Sequence, residues 1–156
     1  MRILLALAVA ALGAPAFAQS AIMTDFSMGE MRTVLTEAGI EVTSEDVSDD
    51  GIPHLVAKDA NGLVFSVYGN ECDSKAPPQR CRGAEFVATF TLDDADDVSD
   101  VLAEIDYAAV QDYAGDDGQL HLSRYVIFDE GITTGNLKAN IKVFLSISKE
   151  VWDQLS

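Results

Sequence analysis

The sequence predicts an α+β fold in which three helices pack against an antiparallel sheet of about six strands. Three observations support this class. Apolar residues recur with a helical period in three segments, and they alternate with a period of two in most of the chain between those segments. Short polar turns, three of which contain Asp-Gly or Asn-Gly, separate the alternating segments. The expected order is helix, four strands, helix, two strands, helix.

The first 18 residues have the three parts of a secretory signal peptide. A basic residue precedes an apolar run, which is followed by Gly, Pro and the Ala-x-Ala triplet 16–18. The run is shorter than the roughly 20 residues that a membrane-spanning helix needs. We expect cleavage between Ala18 and Gln19, which leaves a single domain over 19–156 with no membrane span, in the periplasm or secreted. An uncleaved anchor is the alternative.

The chain is strongly acidic, with a formal net charge of -16. Nucleic acids and anionic lipid surfaces are bound by proteins whose Lys and Arg side chains neutralise phosphates. The charge therefore argues against nucleic-acid binding. Solubility is the simplest explanation of the acidity, and a cationic partner is the alternative.

Two cysteines, Cys72 and Cys81, follow the predicted signal peptide. An even number of cysteines in an exported chain indicates a disulfide, because such compartments are oxidising. The alternative is a redox-active pair, which usually has two residues between its thiols at the start of a helix. This spacing favours a structural disulfide.

The first helix is predicted to begin at Ser27, which forms a Ser-x-x-Glu capping box with Glu30, and to end at Gly39. Its apolar residues recur at helical spacing. The predicted strands cover residues 41–47, 53–59, 63–70, 81–92, 107–113 and 119–128. In the fourth strand the aromatic and other apolar residues alternate with Val and Thr, so one face of the sheet is expected to form the core.

The second helix is predicted to begin in the acidic run 93–97 and to continue to Ile105. Carboxylates in a first turn are stabilised by the exposed backbone N–H groups. A calcium site is the alternative, but the run lacks the Gly and the terminal Glu of a calcium loop. The last helix follows Thr133 and carries an apolar stripe that extends to Leu155.

No arrangement of residues indicates catalysis, a metal site or a cofactor. The two histidines, His54 and His121, lie within predicted strands without other ligands at metal-binding spacing, so we expect them to face solvent. Serine-hydrolase motifs and phosphate-binding loops are missing from the sequence. Core packing is expected for Met28, Met31, Phe65, Tyr68, Phe86, Phe90, Phe128, Phe144 and Trp152. Alternatively, some of them line a groove for a partner segment.

Five short segments, taken in order, resemble the YbjN family of proposed bacterial sensory transduction regulators. They are residues 37–40, 50–53, the two cysteines leading into 85–90, residues 118–122, and 129–133 before a Trp-containing helix. Exported members often carry Asn-x-Trp-Asn after the second helix, whereas this chain has Ile-Asp-Tyr-Ala-Ala, so it resembles a divergent member. The resemblance implies a fold similar to type III secretion chaperones, with a twisted antiparallel sheet, and a non-enzymatic role.

The expected function is therefore that of an exported regulatory or chaperone-like module, which binds another protein or pairs as a homodimer. Fold alone does not determine function, so two other classes stay open. One is a secreted enzyme that uses scattered Asp or Glu residues in a pocket. The other is a sensor that binds a small ligand or ion through its surface carboxylates.

Overall fold

The computed structural model describes residues 21–73, 78–92, 107–115 and 119–155. Within these ranges the chain forms two helices, a six-stranded antiparallel sheet and a two-stranded ribbon. The strands are β1 Ile22–Met23, β2 Glu41–Val47, β3 Pro53–Lys58, β4 Val64–Cys72, β5 Cys81–Thr91, β6 Gln111–Ala114, β7 Gln119–Ile127 and β8 Ile132–Thr133, and the helices are α1 Met28–Glu37 and α2 Thr134–Leu155. No helix in the described ranges is both long and apolar enough to cross a bilayer.

The six-stranded sheet has the order β2-β3-β4-β5-β7-β6, and every neighbouring pair is antiparallel. The first four strands follow one another as hairpins. Between β3 and β4 the Asp59 carboxylate accepts hydrogen bonds from the backbone N–H groups of Asn61 and Leu63. Gly62 in this turn has a φ of 93°, which glycine adopts without steric cost. Local turn chemistry therefore sets this hairpin.

Helix α1 begins with the predicted capping box. The Glu30 backbone N–H donates to the Ser27 hydroxyl at 3.3 Å, and the Ser27 backbone N–H donates to the Glu30 carboxylate at 2.8 Å. Arg80, just before β5, donates to Glu30 at 3.0 Å and also pairs with Asp25. The side chains that α1 buries are Met28, Met31, Val34 and Leu35. Capping and the ion pairs thus fix the start of the helix against the sheet.

Both helices pack on one face of the sheet, and phenylalanine rings fill much of the space between the layers. The ring centroid of Phe144 in α2 lies 5.7 Å from that of Phe65 in β4 and 5.9 Å from that of Phe86 in β5. Phe26 and Phe128 form a second pair at 4.7 Å. Burying each of these rings stabilises the fold by roughly 1.5 to 3 kcal/mol. The core therefore lies between the helices and one side of the sheet.

The connection from β5 to β6 rejoins the described chain on the side of the sheet that the helices cover. The Tyr107 hydroxyl forms a hydrogen bond with Glu150 of α2. Arg124 of β7 donates to the Ala109 carbonyl and, at 3.0 Å, to the Asn140 side-chain oxygen in α2. The described end of this connection therefore lies beside α2 and away from the opposite face.

Cys72 and Cys81 form the predicted disulfide. The two residues are register partners at the adjoining ends of β4 and β5. The Cys81 backbone also exchanges two hydrogen bonds with Phe26, at 2.8 and 2.9 Å. The disulfide thus joins β4 to β5, and the Cys81 backbone holds the segment before α1. Such a disulfide is typical of chains that fold in oxidising compartments.

The α+β class and the six antiparallel strands are as predicted. Strand β6 begins at Gln111 and not at residue 107, because the chain turns there and the Val110 N–H donates to the Tyr107 carbonyl. The β1–β8 ribbon was not predicted, since strands of two residues show no periodicity. The predicted second helix, 93–105, and the signal peptide with its cleavage site lie outside the described residues.

Candidate functional site

One face of the six-stranded sheet is covered by neither described helix. Side chains alternate between the two faces of a strand, so those opposite the core form rows across the sheet. We call this surface the open face, and its rows are Asp46–His54–Tyr68–Glu85–Tyr125, Ser44–Val56–Ser66–Val87–Ser123–Gln111, and Glu41–Lys58–Val64 with Thr89–His121–Tyr113. All of these side chains except Ser123 are partly or largely accessible.

The first row is centred on Glu85. Its register partners are Tyr68 on β4 and Tyr125 on β7. Residues directly opposite each other on one face have Cβ atoms about 5 Å apart, so both tyrosines flank the carboxylate. The His54 ring stacks on Tyr68 with a centroid distance of 5.5 Å. In the described part of the chain, no hydrogen bond or ion pair holds the Glu85 carboxylate.

Tyr125 lies across the neighbouring strand. A Cβ atom on Gly83 of β5 would lie only 2.0 Å from the Tyr125 hydroxyl oxygen. Only glycine therefore allows this tyrosine to rest over the β5 backbone. With 46% of its surface exposed, Tyr125 is both supported from below and accessible from above.

The third row ends in a stacked pair. The rings of Tyr113 on β6 and His121 on β7 lie 4.9 Å apart at an interplanar angle of 15°. His121 Nδ1 lies 3.0 Å from the Thr89 hydroxyl oxygen. A Cβ atom on Gly115 would lie 2.2 Å from His121 Nε2, so a larger residue there would displace the imidazole. The histidine is thus held in a defined position.

Two tyrosines of the open face titrate above their ordinary range. Burial is the main cause that raises the pKa of Tyr113, and the charges of Glu85 and of ionised Tyr68 raise it further. Burial, followed by nearby carboxylates that include Glu85, raises the pKa of Tyr125. The negative potential of Glu85 therefore reaches both hydroxyls, which stay protonated at neutral pH.

The candidate histidines do not form a joint site. His54 lies on β3 and His121 on β7, with two strands between them. The His54 Nδ1 atom is buried, and no described residue supplies it with a hydrogen-bond partner. Within the described ranges, no group of three His, Cys, Asp or Glu side chains is placed to hold a metal ion.

Seven of the nine aromatic and methionine side chains predicted for the core are buried. The prediction is wrong for Tyr68 and Trp152. Tyr68 follows the core residue Val67 directly, so strand alternation directs it to the open face. Trp152 lies beside the buried stripe of α2, is 50% exposed, and has its ring centroid 5.9 Å from that of Phe90.

A groove of about 550 Å³ lies between the β3–β4 turn and the end of α2. Its described lining includes Leu63, Phe90 and Trp152. The carboxylate in this lining is that of Asp153, which pairs with Lys149 at 2.5 Å. General acid–base chemistry with two carboxylates would need a second acid, which the described lining does not offer.

The comparisons with known proteins give no relative. No protein-family model matches the chain, and neither a curated protein nor a solved structure matches it significantly. The candidate site therefore depends on the geometry of the open face.

Sequence reasoning did not single out Tyr113 and Tyr125, and it gave Glu85 no role of its own. A usable signal exists in β7, where His121, Ser123 and Tyr125 alternate with buried Leu120 and Leu122. The strand register, which the sequence does not reveal, brings these residues together with Glu85.

Proposed function

We propose that this chain is an exported, non-enzymatic, YbjN-like module with a chaperone-like fold, and that it binds a partner polypeptide through the open face. Such binding would regulate the partner or act on it as a chaperone does. The predicted signal peptide and the disulfide support export.

The observation that carries this proposal is the exposure of large apolar and aromatic side chains on one face. The exposed fractions are 53% for Val64, 46% for Tyr113, 46% for Tyr125 and 61% for Ile127, which lies beyond the first row. Clustered side chains of this kind mark interaction surfaces, and tyrosine is enriched among the residues that dominate binding energy.

The chemistry of the described residues also favours binding over catalysis. The open face is broad, and its carboxylates Glu41, Asp46 and Glu85 lie on β2 and β5 with two strands between them. Enzyme sites usually enclose their substrate in a cleft with several converging polar groups. Tyrosines supply a large contact area at a small cost in side-chain entropy, which suits a surface that must recognise another chain.

The test is photo-crosslinking in the cells that make the protein. A photoreactive amino acid replaces Tyr125 on the open face or, as the matched control, Val143, which is 40% exposed on α2. We expect one discrete protein adduct from position 125 and none from position 143. Equal adducts from both positions, or none from position 125, would contradict the proposal.

A further inference from the structure

Glu85 is a partly buried carboxylate without a countercharge on its own row. Its row contains two tyrosines, a histidine and, at the far end on β2, a second carboxylate, Asp46, but no Lys or Arg, and the next row contains none either. The basic residue of the open face is Lys58, two rows away on β3, and its Nζ lies 3.9 Å from Glu41. A partly desolvated carboxylate gains most from a cation that a ligand supplies.

The groups around Glu85 add to its attraction for a cation. Tyr68 and Tyr125 flank it, and the faces of aromatic rings carry a negative potential. Cations positioned over tyrosine gain roughly 0.5 to 1 kcal/mol at exposed sites. The carboxylate and the two rings are therefore complementary to one positively charged group.

We propose that Glu85, flanked by Tyr68 and Tyr125, binds an arginine side chain of the partner polypeptide. This inference rests on the proposed function, and it names the chemistry that the open face recognises. A guanidinium is planar, stacks on tyrosine and forms two parallel hydrogen bonds with a carboxylate, whereas an ammonium group is a strongly hydrated point charge. Arginine thus fits the site better than lysine.

The shape and charge of the protein select this occupant over others. On an open surface a free small cation would stay largely hydrated, whereas a polypeptide covers the surrounding Val, Tyr and His side chains and removes water from the charge pair. A second copy of this chain would itself be strongly acidic, with a formal net charge of -16 over the whole chain. Charge complementarity therefore favours a basic segment of a different protein.

The test uses two nine-residue capped peptides with Ser, Thr and Val around a central residue, which is arginine in one and citrulline in the other. Citrulline keeps the shape of arginine but has no charge. Affinities are measured by NMR titration of the purified protein, with resonances of Tyr68 and Tyr125 as reporters. We expect the arginine peptide to bind about fivefold more tightly, from one weak ion pair and one cation–π contact.

Three variants locate the effect. Glu85→Gln is expected to abolish the preference for arginine, and Glu41→Gln, the matched control on edge strand β2, to keep it. Tyr125→Leu retains the carboxylate and is expected to lose part of the preference, which keeps the test decisive if Glu85→Gln folds poorly. Equal affinities of the two peptides for the unmodified protein, or a preference that survives Glu85→Gln, would overturn the inference.

The outcomes separate this inference from the proposed function. If position 125 crosslinks to a partner in cells while the peptides bind equally, the open face is a docking surface that does not select arginine. If the peptides are distinguished but position 125 gives no crosslink, the cation site exists and the proposed function fails.

Discussion

The two faces of the sheet use the same strands for different purposes. Along β5, Phe86, Ala88 and Phe90 are at most 2% exposed and pack beneath the helices, whereas Glu85 and Val87 between them remain partly accessible. The covered face is apolar. The open face combines tyrosine, histidine, valine and a few carboxylates, of which Glu85 lies among the tyrosines. Core packing and the surface proposed for partner binding thus occupy alternate positions of one strand, and substitutions at neighbouring residues should separate their effects.

The largest expected effect contrasts two neighbouring residues of β5. Phe86→Ala removes a fully buried ring that packs against Phe144, and it should lower the free energy of unfolding by about 3 to 5 kcal/mol. Val87→Ala on the open face should cost about 1 kcal/mol or less, because the side chain already contacts water. Denaturant titrations of both variants measure the difference. Similar losses would show that the open face is packed as tightly as the core.

The disulfide provides the next effect, because it joins the adjoining ends of β4 and β5 and its Cys81 half is buried in the core. Replacing both Cys72 and Cys81 by alanine should lower the free energy of unfolding by about 2.7 kcal/mol, the loop-closure value for some ten residues. The open-face tyrosines should keep their NMR resonances in this variant, since backbone pairing between β4 and β5 and between β5 and β7 extends well beyond the disulfide. If the variant is folded but these tyrosine resonances are lost, the disulfide also organises the open face.

The third effect is the pH dependence of stability that arises at the start of α1, on the covered face. Burial raises the pKa of Glu30, but hydrogen bonds from Ser27 and the nearby Arg80 outweigh it and leave the pKa below its ordinary value of 4.5. The stabilisation that the ionised Glu30 carboxylate contributes is therefore present above pH 4.5, and it is lost as the pH falls through the lowered pKa of Glu30. Ser27→Ala should cost about 1 kcal/mol at neutral pH.

The control for this effect is Glu30→Gln, in which the acid-induced loss of stability between pH 5 and pH 3 should become shallower. Urea titrations across this range measure it. An unchanged pH profile would mean that the carboxylate of Glu30 is not held as the structure places it.

The smallest effect is electrostatic and concerns the open face. Glu85→Gln removes a negative charge that raises the pKa of Tyr113 and Tyr125, so both tyrosines should ionise at lower pH in the variant. Tyrosine ring carbon shifts, followed by NMR between pH 8 and pH 12, measure the two titrations. Tyr107, whose pKa is raised by its hydrogen bond with Glu150, serves as the internal control and should not shift. Unchanged titrations of Tyr113 and Tyr125 would place Glu85 away from them.

Much of the fold follows from local sequence. The capping box at Ser27, the Asn61-Gly62 turn and the alternation in β5 and β7 act over short distances, so their patterns are legible in a single chain. The disulfide was also predictable, because the chain offers one pair of cysteines.

The candidate site was less predictable, because it depends on register. Tyr68, Glu85 and Tyr125 are separated by 17 and then 40 positions in the chain, and only the pairing of β4, β5 and β7 places them in one row. The sequence shows that each residue alternates with core residues, but it does not show which residues become neighbours. The prediction for Tyr68 fails for a different reason, because its aromatic character favoured the core whereas the alternation within its strand directs it to the open face.

The most direct test of the difference between the two faces is hydroxyl-radical footprinting of the purified protein at low concentration. We expect oxidation of Tyr113 and Tyr125 at a substantial fraction of their rates in the unfolded chain, while Phe86 and Phe144 are strongly protected relative to theirs. Protection of the two tyrosines to the level of Phe86 would contradict the account, because the surface proposed for partner binding would then be covered by the protein itself.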